Sequence, residues 1–330
     1  SHLMEFDTSL ASQLVPPLID VRCFSNVGAK SAELEGDRVA AAAAAYTACR
    51  THGLLSLEAY GGISPELVSA AFDSIKRLFA MSKEQKMELA YRDVRENVGY
   101  IEMGKESPDP GQAAPDPKEI FQFQPGKRTL PADLEEPLTA LYAAGIDAGR
   151  AVLRCLSRSL DLPDDETFAC AASSLDLCAL RAIHYPGGVP PFSNRCGAHT
   201  DFGMCTLLLN EADEPPGLQA ADVTTGEWRN VEPPPRAQQG SSGVAFVNIG
   251  DMLARWTNDE LHSTRHRVVA PADAEAAARS RFVIALFCDA DSPTSLAALP
   301  QFTSAARPPK YTPMRAGDFK AMRLGAQTSV

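Results

Sequence analysis

Gly197-Ala198-His199-Thr200-Asp201-Phe202-Gly203, running on into Thr206-Leu207-Leu208-Leu209, decides how this chain is read. His199 and Asp201 stand two residues apart. On a β-strand, side chains at that spacing point to the same side, so both can reach one ion. Ser263-Thr264-Arg265-His266-Arg267-Val268 offers a further imidazole. It lies about 65 residues beyond Asp201, too far for a local finger but natural for a neighbouring strand of a closed double sheet. Two imidazoles and one carboxylate on one face of a metal leave three positions open, a donor set that suits Fe(II). A thiolate-rich set would point to structural zinc instead. His-x-Asp alone has a plain alternative, a polar strand end with no chemistry, and the surrounding segments weigh against it.

Those segments follow in a fixed order. Phe246-Val247-Asn248-Ile249-Gly250-Asp251 comes next, then Trp256-Thr257-Asn258, then the His266 segment. From Leu177 onward the pattern is one of short strands between Pro/Gly turns: Ala179 to Tyr185, Cys205 to Asn210, Leu218 to Ala220, Val244 to Ile249, His266 to Val269 and Phe282 to Phe287. Such spacing predicts a jelly roll. Thr225-Gly226-Glu227-Trp228 fits a hairpin turn. Asn248, Gly250 and Asp251 read as the shapers of a turn beneath the metal.

The N-terminal part reads as helical. Leu18 to Val21 is a short strand behind Pro16-Pro17. Leu34 to Thr51 is an Ala-rich helix that Gly53 can close. Leu54 to Leu57 is a short apolar strand. Ser64-Pro65-Glu66 opens a helix with a serine cap and a proline in the first turn. Ser82 opens another, with Gln85 three residues on to complete a reciprocal cap. Glu106 to Lys118, rich in Pro, Gly, Asp and Ala, reads as a loop. Leu134 to Leu160 reads as the long helix behind the sheet. No internal repeat is visible.

In this order the motifs resemble the isopenicillin N synthase-like family of Fe(II)/2-oxoglutarate-dependent oxygenases. The likeness extends into the N-terminal part through Leu18-Ile19-Asp20-Val21, Leu78-Phe79, Ser82 to Lys86, Val98-Gly99-Tyr100 and Lys118-Glu119-Ile120-Phe121, so it covers nearly the whole chain. It implies a mainly β fold with flanking helices, a double-stranded β-helix core and a helical N-terminal portion. The division expected is an N-terminal family region over 15–125, helical support over 126–175, the jelly-roll core over 176–295 and a C-terminal segment over 296–330. Ser1 to Met4 resembles an expression scar, which removes His2 from the ligand candidates.

The resemblance also implies a chemistry. Fe(II) sits on His199, Asp201 and His266, with 2-oxoglutarate as co-substrate and O2 as oxidant. A small molecule is oxidised at an unactivated C–H bond, by hydroxylation, desaturation or ring closure, and succinate and CO2 leave as co-products. The family holds the distal carboxylate of 2-oxoglutarate with an Arg-x-Ser pair. An arginine fork matches a carboxylate with two parallel hydrogen bonds. Here Arg281 takes the arginine place and Val283 the serine place. Loss of that hydroxyl would weaken binding by roughly 1.5–3 kcal/mol unless another donor replaces it. Tyr185, in His184-Tyr185-Pro186, matches a family tyrosine that touches the co-substrate.

Alternatives remain at this level. Arg279-Ser280 is a rival register for the arginine. His262, four residues before His266, competes as third ligand. His184 alternates with Tyr185 and reads as structural. Val283 keeps open an Fe(II)/O2 oxidase that needs no 2-oxoglutarate, and a non-catalytic cupin-like binding module is a second alternative. Phe287 and Phe123 are candidates for the substrate pocket. Arg92, Arg95 and Lys118 are candidate partners for an acidic substrate, against the plainer reading of solvated loop charges.

The rest of the composition sets limits. With 330 residues and 45% hydrophobic content the chain can bury a large core. Its net charge of −11 argues against a nucleic-acid groove. No run approaches the roughly 18 apolar residues of a membrane span. The eight cysteines are scattered without a C-x-x-C pair, which suggests buried free thiols in a reducing cytosol; Cys196 and Cys205 read as packing residues. A cytoplasmic monomer without nucleic-acid or membrane partners is expected, and no secretory signal is visible.

Overall fold

A computed structural model describes residues 12–25, 32–57, 62–93, 95–109, 115–211, 217–234 and 245–326. Ser1 to Met4 lies outside them, as do Val244 and residues 110–114 of the proline-rich loop. The strands in chain order are β1 (Gln13–Leu14), β2 (Leu18–Ile19), β3 (Leu54–Leu57), β4 (Gly99–Ile101), β5 (Glu119–Phe123), β6 (Ala179–Tyr185) and β7 (Asn194–His199). They continue with β8 (Cys205–Asn210), β9 (Leu218–Ala221), β10 (Trp228–Val231), β11 (Ala245–Ile249), β12 (His266–Val269) and β13 (Arg281–Cys288). Two sheets result: β2-β3-β11-β8-β13-β6-β5-β4 and β1-β10-β9-β12-β7. The N-terminal segment adds one parallel edge strand to each, β2 on β3 and β1 on β10. All other strand pairs are antiparallel.

The helices are α1 (Ala32–Thr51), α2 (Pro65–Phe79), α3 (Lys83–Glu88), α4 (Ala132–Ser159), α5 (Glu166–Ala169), α6 (Asp251–Trp256), α7 (Ala274–Ala278) and α8 (Ala316–Gly325). Their starts follow from local chemistry. Ser64 Oγ accepts from Leu67 N at 3.2 Å, which caps α2. Ser82 and Gln85 exchange hydrogen bonds at the start of α3.

Alternation along β13 explains both the core and the site. Ile284, Leu286 and Cys288 face the helices, in one cluster with Leu138, Leu141 and Val152 of α4 and Phe72 and Ile75 of α2. Complete burial of one such leucine or isoleucine contributes about 1.5–3 kcal/mol. Arg281, Val283, Ala285 and Phe287 face the other way, into the space between the sheets. Among the described residues, no helix is long and apolar enough to cross a membrane.

Candidate metal centre

β7 and β12 are antiparallel neighbours, and His199 and His266 are register partners. Their ring centroids lie 4.3 Å apart. Asp201 Oδ1 is 3.7 Å from His199 Nε2 and 3.8 Å from His266 Nε2. Bonds of about 2.1 Å to a shared ion place two ligand atoms at most about 4.2 Å apart, so both separations fit one ion. Nδ1 of His199 lies 2.8 Å from Gly197 O, and Nδ1 of His266 lies 3.0 Å from Thr264 O. Each Nδ1–H thus donates to a carbonyl and leaves the Nε2 lone pair for a metal. Asn248 Nδ2 donates to Asp201 Oδ2 at 2.7 Å, which turns Oδ1 toward the imidazoles.

The protonation states suit ligation. Burial pushes both imidazoles below their usual range, and His199 adds to this for His266. Burial opposes ionisation of Asp201, but His266, His199 and its hydrogen-bond donors outweigh it and hold the carboxyl low. Neutral imidazole and ionised carboxylate are the forms that bind metal.

Strand alternation does not bring His199 and Asp201 together, because β7 ends at His199 and Asp201 sits in the turn beyond it. The turn is held from below. Asp251 N donates to Asp201 O at 2.8 Å, and Gly250 N to Met204 O at 3.0 Å. A Cβ on Gly250 would lie 2.3 Å from Gly203 O, so only glycine permits this approach. Thr200 Oγ1 donates to Asp251 Oδ2 at 3.1 Å, and Arg323 of α8 donates to both. The turn expected at Gly250-Asp251 is thus the start of α6. Asn248, expected to help shape it, instead bonds the carboxylate of Asp201. Nothing in the sequence signalled Arg323.

The three residues open into a cavity between the sheets that is partly continuous with solvent. Leu54, Leu208, Leu218, Phe246, Val268 and Val283 give it apolar walls. Arg281 and Tyr185, register partners on β13 and β6, line it as well. Arg281 Nη2 donates to Asn210 Oδ1 at 2.8 Å. A Cβ at Gly217 would lie 2.7 Å from Arg281 Nη1, so glycine leaves room for the guanidinium. Arg279 is exposed at the end of α7, so of the two candidate registers it is Arg281 that faces the cavity. His262 opens onto a different surface cleft with Asp259 and Tyr311. His184 faces away, with Nδ1 2.7 Å from Glu119 Oε1 and its ring stacked on Phe282.

Phe287 lines the cavity, but Phe123 does not. β5 puts Gln122 on the cavity side and turns Phe121 and Phe123 into the helix-covered core. Lys118 is no solvated loop charge: it is buried and donates to Asp116 Oδ2 at 2.9 Å. Asn97, Glu106 and Arg181 also line the cavity. Sequence reading passed over them, although Arg181 precedes Tyr185 by four residues and so shares its face of β6.

Known proteins place this geometry. Residues 17–139 match the family described as non-haem dioxygenase in morphine synthesis N-terminal, and residues 177–290 match the 2OG-Fe(II) oxygenase superfamily. A 2-oxoglutarate-Fe(II) type oxidoreductase, hxnY, of Emericella nidulans is 28% identical over 92% of this chain and 87% of its own. The 2-oxoglutarate-dependent dioxygenase citB of Monascus ruber is 30% identical over 67% of this chain and 71% of its own. The crystal structure of a full-length Neurospora crassa protein in complex with alpha-KG superposes with a TM-score of 0.78 at 27% identity, covering 94% of this chain and 96% of that one. With both family regions present in order, the chain belongs to the 2OG-Fe(II) oxygenase superfamily and is an Fe(II)- and 2-oxoglutarate-dependent oxidoreductase.

Proposed function

We propose that His199, Asp201 and His266 hold the Fe(II), and that Arg281 with Tyr185 holds the distal carboxylate of 2-oxoglutarate. The observation that carries this reading is that all five side chains line one cavity. The donor set fits the metal: two imidazoles with their Nε2 atoms toward one carboxylate oxygen, and no thiolate among them. When bound, the iron and 2-oxoglutarate together activate O2, with one oxygen atom going to succinate and the other to the product or to water.

The chain's own residues do the rest. Asn248 keeps one carboxylate oxygen of Asp201 aimed at the metal. Asn210 fixes the guanidinium of Arg281. Val283 gives the co-substrate an apolar wall in the serine place of the Arg-x-Ser pattern, and the buried tyrosine beside Arg281 supplies the hydroxyl. Leu208, Phe246 and Val268 keep bulk water from the reacting C–H bond.

The substrate we assign is a small organic molecule of secondary metabolism, oxidised at a C–H bond. Relatives support this: one is named clavatol oxidase, from Penicillium crustosum, and the Neurospora crassa structure is also solved with thymine. A cytosolic setting is supported by the eight cysteines, all free thiols and seven of them buried. The test is O2 uptake by the Fe(II)-loaded protein with and without 2-oxoglutarate. Uptake that requires 2-oxoglutarate and yields succinate is expected. Uptake independent of it overturns the assigned roles of Arg281 and Tyr185.

A further inference from the structure

One part of the cavity wall, around Asn97 and Glu106, is polar in a specific way. Asn97 is 6% exposed, and among the described residues neither its side-chain oxygen nor its nitrogen has a hydrogen-bond partner. Its φ of +50° is left-handed, a conformation asparagine tolerates better than most residues. Glu106 is 2% exposed. Its Oε1 accepts from Arg181 Nη1 at 2.9 Å and pairs with Lys118 Nζ at 3.5 Å, whereas its Oε2 has no partner among the described residues. A buried amide and carboxylate oxygen left in this state cost stability unless a ligand or water completes them.

The cations here are engaged. Arg181 Nε donates to Gln122 Oε1 at 2.7 Å, and Lys118 to Asp116 Oδ2 at 2.9 Å. Two positive groups, Arg181 and Lys118, face two acidic ones, Glu106 and Asp116. An anionic substrate would gain no additional cation and would meet Glu106 Oε2. A neutral group fits better. Asn97 presents an N–H donor beside a C=O acceptor, and Glu106 adds a second acceptor. The complement is a carbonyl beside an N–H. Phe287, whose ring lies 5.6 Å below the Arg181 guanidinium, gives that group a flat apolar neighbour.

Building on the function proposed above, we infer that Asn97 and Glu106 form a substrate-recognition subsite, and that the substrate presents to it a neutral cis-amide edge of the kind found in lactams, cyclic imides and ureides. Arg181 and Gln122 position Glu106 rather than bind charge. N-methylation of the substrate removes the donor, and replacement of N–H by O removes it without changing the ring. A site built around hydrogen bonds rejects analogues that lack them far more strongly than an apolar pocket rejects a change of size.

The experiment uses four probes: 2-piperidone, N-methyl-2-piperidone, δ-valerolactone and valerate. Binding is followed by saturation-transfer NMR on the metal-free protein and again on the anaerobic Fe(II)/2-oxoglutarate protein. The expected result is that 2-piperidone binds at least about tenfold tighter than the other three. Asn97→Gly, which keeps the left-handed backbone, should abolish that preference while the 2-oxoglutarate absorption band persists. If Asn97→Gly does not fold, Asn97→Asp, which exchanges the amide donor for an acceptor-only carboxylate oxygen, should weaken 2-piperidone binding in the same direction. Equal binding of 2-piperidone and its N-methyl analogue, tightest binding of valerate, no binding of 2-piperidone, or an unchanged preference in the Asn97 variants overturns the inference. Loss of the absorption band in the wild-type protein would instead count against the iron and 2-oxoglutarate assignment, and the metal-free measurements would still decide the subsite.

Discussion

Replacing Asn248 with Leu removes one hydrogen bond and little else. The two side chains have the same branching and number of heavy atoms, and Asn248 is buried on β11 with its Nδ2 2.7 Å from Asp201 Oδ2. A hydrogen bond to a charged group contributes roughly 1.5–3 kcal/mol. At 1.4 kcal/mol per tenfold, that is a loss of about 10- to 100-fold in metal affinity. The same range is typical when the partner that orients a ligating side chain is removed. The assay is calorimetric titration of the metal-free protein with Fe(II) under anaerobic conditions, with the melting temperature of the variant as a control for folding. An affinity for Fe(II) within about twofold of wild type, beside a lowered melting temperature, would return Asn248 to a turn-shaping role and refute the account of Asp201.

Arg281→Ala should raise the 2-oxoglutarate concentration needed for half-maximal O2 uptake by about 100-fold, the size of a lost charged hydrogen-bond pair, with Fe(II) affinity unchanged in the same titration. Phe123→Ala should cost about 3–5 kcal/mol in urea unfolding because it empties a core site, whereas Phe287→Ala, at the cavity wall, should cost less and alter substrate selection. Burial alone would raise the Glu119 carboxyl, but hydrogen bonds from His184, Lys86 and Tyr100 outweigh it and hold it down to about 2. Its contribution to stability is therefore present above the unfolded-state value near 4.5 and fades as pH falls from there toward 2, on the order of 2–3 kcal/mol in all. Urea unfolding of Glu119→Gln across that range should show a correspondingly flatter dependence on pH.

The β-rich half was legible because short strands between Pro/Gly turns leave a period-two pattern. β6, β8 and β12 run over the residues read as strands, β9 and β13 differ by one residue at an end or two, and β11 covers the described part of its stretch. The helix caps at Ser64 and Ser82 were legible for a local reason, since a cap is written within four residues. Arg281 and Val283 were legible as a pair because they share one face of β13. What was missed depends on contacts far apart in sequence. Phe123 looked inward because aromatic residues suit pockets, but on β5 the cavity face belongs to Gln122. Lys118 looked like a surface loop charge, but the loop carries its own carboxylates, Glu106 and Asp116, into the interior with it. Arg323 reaches the Thr200-Asp251 pair from a helix near the C-terminus, and no local pattern announces such a contact.

The measurement that bears most directly on the central claim is an anaerobic titration of the Fe(II) protein with 2-oxoglutarate, following the visible charge-transfer band that chelation to iron produces. Wild type and His262→Ala should both develop the band, and His266→Ala should not. A band that survives in His266→Ala and disappears in His262→Ala would contradict the assignment of the three ligands.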